Sequence, residues 1–189
     1  RAWPILEEHA QKSADVCYLR SLVENSNAKA IAHQDEALAL DPGHAQALEA
    51  RARRHMALKD FPKAFADVER LLASRPRSPQ GRFLKARIFQ ALHDPLQALE
   101  QVDLAIALDA EDPSSYVLKC EILAESHEGG IHQEQALAAA THAVDLEPEH
   151  PGYLERRAWC HHGFQQYEEA IADARRCIEL GPGSNAARL

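Results

Sequence analysis

At 189 residues, 46 % of them hydrophobic and 26 % charged, the chain can bury a core of useful size, which excludes an intrinsically disordered polymer. No apolar run approaches the roughly 20 residues that span a bilayer, and no signal-peptide pattern opens the sequence, so a helical membrane protein is excluded. A formal net charge of −8 argues against general nucleic-acid binding.

The first ten residues, "RAWPILEEHA", predict a partial helix (1–10) with Trp3 and Ile5 as packing residues. The chain begins at Arg1 rather than at methionine, as expected of a piece of a longer protein. From residue 11 onward one pattern repeats. Residues 11–44 carry two amphipathic runs and close at Asp41-Pro42-Gly43, a helix stop. Residues 45–78 hold Ala47, Leu48, Ala52, His55 and Met56 at helical spacing, then Ala64, Val68, Leu71 and Leu72. Residues 79–112 open on Pro79, and Pro95 opens their second helix. Residues 113–150 open on Pro113 and contain "ESHEGGIHQEQ" (125–135), which predicts an extended turn. Residues 151–184 open on Pro151, and a short tail, 185–189, follows.

The self-similarity is visible in three columns. Ala30, Ala64, Ala98, Ala136 and Ala170 lie 34, 34, 38 and 34 residues apart. The same spacing relates Pro42, Pro76, Ala110, Pro148 and Pro182, and also Ala37, Leu71, Ala105, Ala143 and Cys177. Three columns sharing one period and one four-residue insertion define five units of two helices each. Small residues at fixed places let two antiparallel helices approach closely. One such hairpin cannot bury its own apolar face, so neighbouring units stack.

Residues 47–76 and 153–182 resemble the tetratricopeptide repeat (TPR) family. Each has a small residue in the first helix, Phe61 or Tyr167 at the turn, then Ala64 or Ala170, and a closing proline. The first unit departs with Asn27 at the aromatic site, the third with Pro95 there and Ala110 in place of the closing proline. The resemblance covers 11–184 and implies an all-α fold: a right-handed superhelical solenoid, a single TPR domain, whose first helices line a concave groove. It further implies a non-catalytic protein–protein interaction module with no cofactor.

Two columns of first-helix residues are expected on that groove. One is Leu19, Arg53, Arg87, Glu121 and Trp159; the other is Asp15, Glu49, Phe83, Val117 and Glu155. Between Arg51 and Arg87 there are eleven Lys or Arg against three acids, so Arg53 and Arg87 sit in a basic middle between acidic ends. With Phe83 and Met56 nearby, the expected partner is an acidic protein segment with an apolar anchor; neither nucleic acid nor a membrane is expected. The carboxylate clamp by which TPR co-chaperones hold acidic chaperone tails is absent, because in every register only Arg156 matches its residues.

Two alternatives stand beside the groove. The array ends are expected to mediate self-association, because Ile171, Ala174 and Ile178 form an apolar face with little sequence left to cover it. Otherwise the array is a regulatory or targeting region of a larger enzyme. No motif for a catalytic nucleophile, a phosphate loop or a metal is present, and the late histidines (His127, His132, His142, His150, His161, His162) follow no ligand spacing. Cys17, Cys120, Cys160 and Cys177 form no CxxC pair; free thiols and a cytoplasmic location are expected. Finally, Arg51 and Arg157 each have an aspartate sixteen residues on, Asp67 and Asp173, which predicts two bidentate ion pairs inside hairpins.

Overall fold

A computed structural model describes residues 13–125 and 129–181, with backbone alone at 129–131. The expected packing of Trp3 and Ile5, and the tail 185–189, lie outside these residues. Among the described residues there are ten helices and no strand: α1 (Ala14–Val23), α2 (Asn27–Leu40), α3 (Ala45–Ala57), α4 (Phe61–Ser74), α5 (Pro79–Ala91), α6 (Pro95–Leu108), α7 (Pro113–Glu125), α8 (Gly129–Leu146), α9 (Pro151–Gly163) and α10 (Tyr167–Leu180). They fall into two compact units, one ending at Ile88 and the other beginning at Phe89, within α5.

The turn inside each hairpin is built the same way three times. Lys59, His93 and Gln165 are left-handed, with φ of 59°, 58° and 60°. At each, the left-handed residue's N–H donates three residues back (Lys59 to Met56, 2.9 Å) and the next N–H donates five back (Asp60 to His55, 2.8 Å). His93–Asp94 and Gln165–Gln166 repeat this pattern. It satisfies the last carbonyls of the first helix and reverses the chain. Asp60 and Asp94 then cap the second helix by accepting from the Lys63 and Gln97 N–H groups. One residue thus closes a helix and opens the next, which is why two residues suffice between α3 and the capping position.

The turns between hairpins also have a common form. Asp41 and Asp109 side chains accept from the N–H two residues on, at 3.0 and 3.2 Å. His44, Ser78 and Asp112 then cap the following first helix by accepting from the Ala47, Gly81 and Ser115 N–H groups. Asp41-Pro42 is therefore punctuation.

The small-residue columns face the cores. Ala30, Ala64 and Ala98 are fully buried and Ala136 nearly so, as are Ala52, Ala86 and Cys120 in the first helices. In the first unit, Leu48 packs with Cys17, Ala37, Leu38 and Leu71, joining two hairpins. A second cluster joins α3 and α4 to α5 through Ala52, Val68, Leu84 and Ile88. Gly81 in α5 marks a close approach, because a Cβ there would lie 2.8 Å from Leu72 Cδ2. In the second unit, Cys120 and Leu123 of α7 pack on Ala136, Ala139 and Ala140 of α8.

One expectation is corrected. The extended turn at 125–135 is largely helix, since α8 starts at Gly129 and runs 18 residues. The insertion precedes Ala136, so it lengthens α8 at its N-terminal end, to 18 residues against 14 in α2, α4, α6 and α10, and the spacing of Ala136, Ala140 and Ala143 within the helix is untouched.

Candidate functional site

Both predicted ion pairs form. Arg51 Nε donates to Asp67 Oδ2 at 2.8 Å and its Nη2 to Oδ1 at 2.5 Å. Arg157 Nε and Nη2 bind Asp173 at 2.7 and 2.6 Å. Asp67 and Asp173 are buried, and hydrogen bonding to these carboxylates raises both guanidinium pKa values against the cost of burial.

A second set of bridges escaped sequence reasoning because it runs backward. Arg51 also reaches Asp35 of α2, Lys85 reaches Glu69 of α4 at 2.8 Å, and Lys119 reaches Asp103 of α6 at 2.8 Å. Each acid precedes its base by sixteen residues, as Asp67 and Asp173 follow theirs. The symmetric spacing was the available signal. Where Gln101 replaces the forward aspartate, the lysine keeps the backward bridge to Glu69 and also lies over the Phe65 ring, 5.3 Å from its centroid.

These bridges consume much of the basic middle. Arg53 pairs with Glu49 at 2.9 Å, Arg54 binds Asn27 Oδ1 and the Ser21 carbonyl, Lys63 pairs with Asp60, and Arg70 donates to the Pro42 carbonyl. Arg53 and Arg87 are nonetheless exposed, at matching positions of α3 and α5 in one compact unit. Phe83 and Met56 are half-buried. Both are partly buried against the Ala52–Ile88 cluster, because the faces they occupy are those that join hairpins. Glu121 is half-buried and paired with Arg156 at 2.9 Å. Trp159 is 66 % exposed.

Trp159 borders an apolar groove of about 430 Å³ on α9 and α10, lined by Glu155, Ala158, Trp159, His162, Ala174, Cys177 and Ile178. Three repeats earlier the same positions are Glu49, Ala52, Arg53, Met56, Val68, Leu71 and Leu72. There α5 covers Ala52, Val68 and Leu72 with Phe83, Leu84 and Ile88. The groove is thus the stacking face of the last hairpin, with Ile171 and Ile178 at 51 % and 79 % exposure.

Several of the described histidines make local contacts. His44, buried, accepts from the Ala47 N–H through Nδ1 and so donates through Nε2 to Asp15 at 2.9 Å. His142 lies 4.2 Å from the Tyr116 ring, and His150 stacks on Tyr153 at 3.6 Å. Among the described residues no group of three or more His, Cys, Asp or Glu converges to hold a metal. No helix there is long and apolar enough to cross a membrane.

The tetratricopeptide repeat family model matches residues 22–79, 49–116 and 134–185, well over half of the chain. No curated relative matches by sequence. Among solved structures the chain is similar to TTC0263, a thermophilic TPR protein of Thermus thermophilus, with a TM-score of 0.76 and 18 % identity over 93 % of this chain and 95 % of that one. It is similar to YrrB, described as a TPR protein with an unusual peptide-binding site, with a TM-score of 0.66 and 19 % identity over 100 % and 99 %. A MamA fragment from Desulfovibrio magneticus RS-1 gives a TM-score of 0.73 and 19 % identity over 88 % and 94 %. At these identities the likeness concerns the fold.

Proposed function

The chain belongs to the tetratricopeptide repeat family, and on that premise we propose that it is a non-catalytic interaction module that holds a partner segment along its first helices. The observation that carries this reading is the pair of exposed arginines, Arg53 and Arg87, at equivalent positions of α3 and α5 within one compact unit. A segment bearing carboxylates complements them, and Glu49 would yield Arg53 to such a ligand because that pair is solvent-exposed and weak, about 0.3–0.5 kcal/mol for its helical spacing. The free cysteines support placement in a reducing compartment such as the cytoplasm. The test is binding of arrayed acidic peptides carrying one aromatic or aliphatic residue. Arg53→Glu with Arg87→Glu abolishes binding while helicity by circular dichroism stays intact. Unchanged binding by the double variant overturns the reading.

A second reading rests on the open α9–α10 face. A second copy of the chain, packing there as α5 packs on α3 and α4, would make this an assembly module. Light scattering then finds a dimer that Ile171→Glu with Ile178→Glu dissociates, and because both side chains are exposed the variant keeps its fold. A monomer at every concentration counts against assembly.

A further inference from the structure

Cys120 of α7 and Cys160 of α9 place their sulfurs 3.5 Å apart. They stand in different hairpins of the second compact unit, separated by 40 residues of sequence. Cys120 is fully buried, whereas Cys160 is half-buried. The Arg156–Glu121 bridge, 2.9 Å long, ties the same two helices together beside the thiols. Neither other cysteine shares this arrangement: Cys17 is buried in the first unit, and Cys177 donates to the Pro151 carbonyl.

We propose that Cys120 and Cys160 are a redox-responsive dithiol that a peroxide converts into an intrachain disulfide. From 3.5 Å, the sulfurs come about 1.5 Å closer to form the bond. The roles follow from the surroundings. The hydrogen bond that the two thiols share lowers the Cys160 pKa against burial, and the Arg156 charge adds to the lowering. The same hydrogen bond, with burial, raises that of Cys120. Cys160, the less buried of the two, is therefore the nucleophile and Cys120 the resolving thiol.

The Cys160 thiolate attacks one peroxide oxygen, the O–O bond breaks, and a sulfenic acid forms as the first water leaves. Cys120 sulfur then attacks Cys160 sulfur, the S–S bond forms, and the sulfenic oxygen leaves as the second water with the Cys120 proton. Two thiols lose two electrons and two protons in total, and hydrogen peroxide is reduced to two waters. An external dithiol reverses the reaction by two exchange steps. In a reducing compartment such a bond is transient.

The experiment treats the full chain with equimolar hydrogen peroxide at neutral pH, blocks remaining thiols with N-ethylmaleimide and maps peptides by mass spectrometry. The expected result is a Cys120–Cys160 cross-linked peptide, two blocked thiols instead of four, and restoration by dithiothreitol. The thermal midpoint rises by several degrees on oxidation, because the bond closes the long loop that contains α8. Cys120→Ser instead leaves a Cys160 sulfenic acid that dimedone traps, and Cys160→Ser leaves Cys120 unmodified. Sulfinic acid at Cys160 of the unsubstituted chain, a disulfide between chains, or oxidation confined to Cys177 overturns the proposal. Mapping the unsubstituted chain keeps the test decisive even where a serine variant folds poorly.

Discussion

Arg51→Ala destabilises the first compact unit by about 3–5 kcal/mol, because it strands the Asp67 carboxylate in a site that leaves it 4 % exposed. Asp67→Ala costs less, about 1–3 kcal/mol, since the arginine left behind keeps Asp35 and reaches water. The asymmetry distinguishes a buried charge problem from a simple lost contact. The last hairpin supplies the control. Arg157 has Thr141 where Arg51 has Asp35, so the only acid on the preceding helix that acts on it among the described residues is Asp145, through charge and not through a hydrogen bond. Arg157→Ala and Asp173→Ala therefore come closer to each other in cost than the first two do. Urea unfolding followed by circular dichroism measures all four. An Arg51→Ala variant within about 1 kcal/mol of the unsubstituted chain sinks the argument, because that is the range of an exposed pair. So does an Asp67→Ala variant that loses more than Arg51→Ala.

Leu48→Ala costs about 2–5 kcal/mol, the range for removing a fully buried leucine from a packed core. Leu48 touches α1 through Cys17, α2 through Ala37 and Leu38, and α4 through Leu71, so it sits where the first hairpin meets the second. In a repeat array stability is a sum of hairpin and nearest-neighbour terms, and this substitution weakens a neighbour term. Hydrogen exchange consequently accelerates most across α1 and α2, which keep only their own hairpin contacts, and least across α9 and α10. Uniform acceleration along the chain, or a loss below about 1 kcal/mol, contradicts that placement of Leu48.

Much of the architecture was legible because the period is a structural quantity. The 34-residue spacing puts each small residue on the same helical face, and Pro79, Pro95, Pro113 and Pro151 each begin a helix where a missing N–H costs nothing. The Arg51–Asp67 and Arg157–Asp173 pairs were legible for a related reason. Within a hairpin the turn is short and repeated in form, so a fixed sequence separation is a fixed spatial one. The apolar face of Ile171 and Ile178 was also legible, since both lie at the helical spacing of the repeat's stacking positions.

What the tertiary structure alone decided lies between hairpins. Met56 and Phe83, expected near the groove, pack partly buried where α3 and α4 meet α5. The backward bridges from Arg51, Lys85 and Lys119 cross the same kind of boundary. Cys120 and Cys160 meet although they belong to different columns of the repeat. The fourth unit's insertion, a turn by composition, instead extends α8 at its N-terminal end. By itself the amino-acid sequence determined the helices, their pairing within hairpins and the register of the repeat, all consequences of local periodicity and turn chemistry. How one hairpin rotates against the next depends on side-chain volumes on two separate surfaces, and no spacing along the chain encodes that angle. Folding decided which residues those surfaces cover and which remain for a partner.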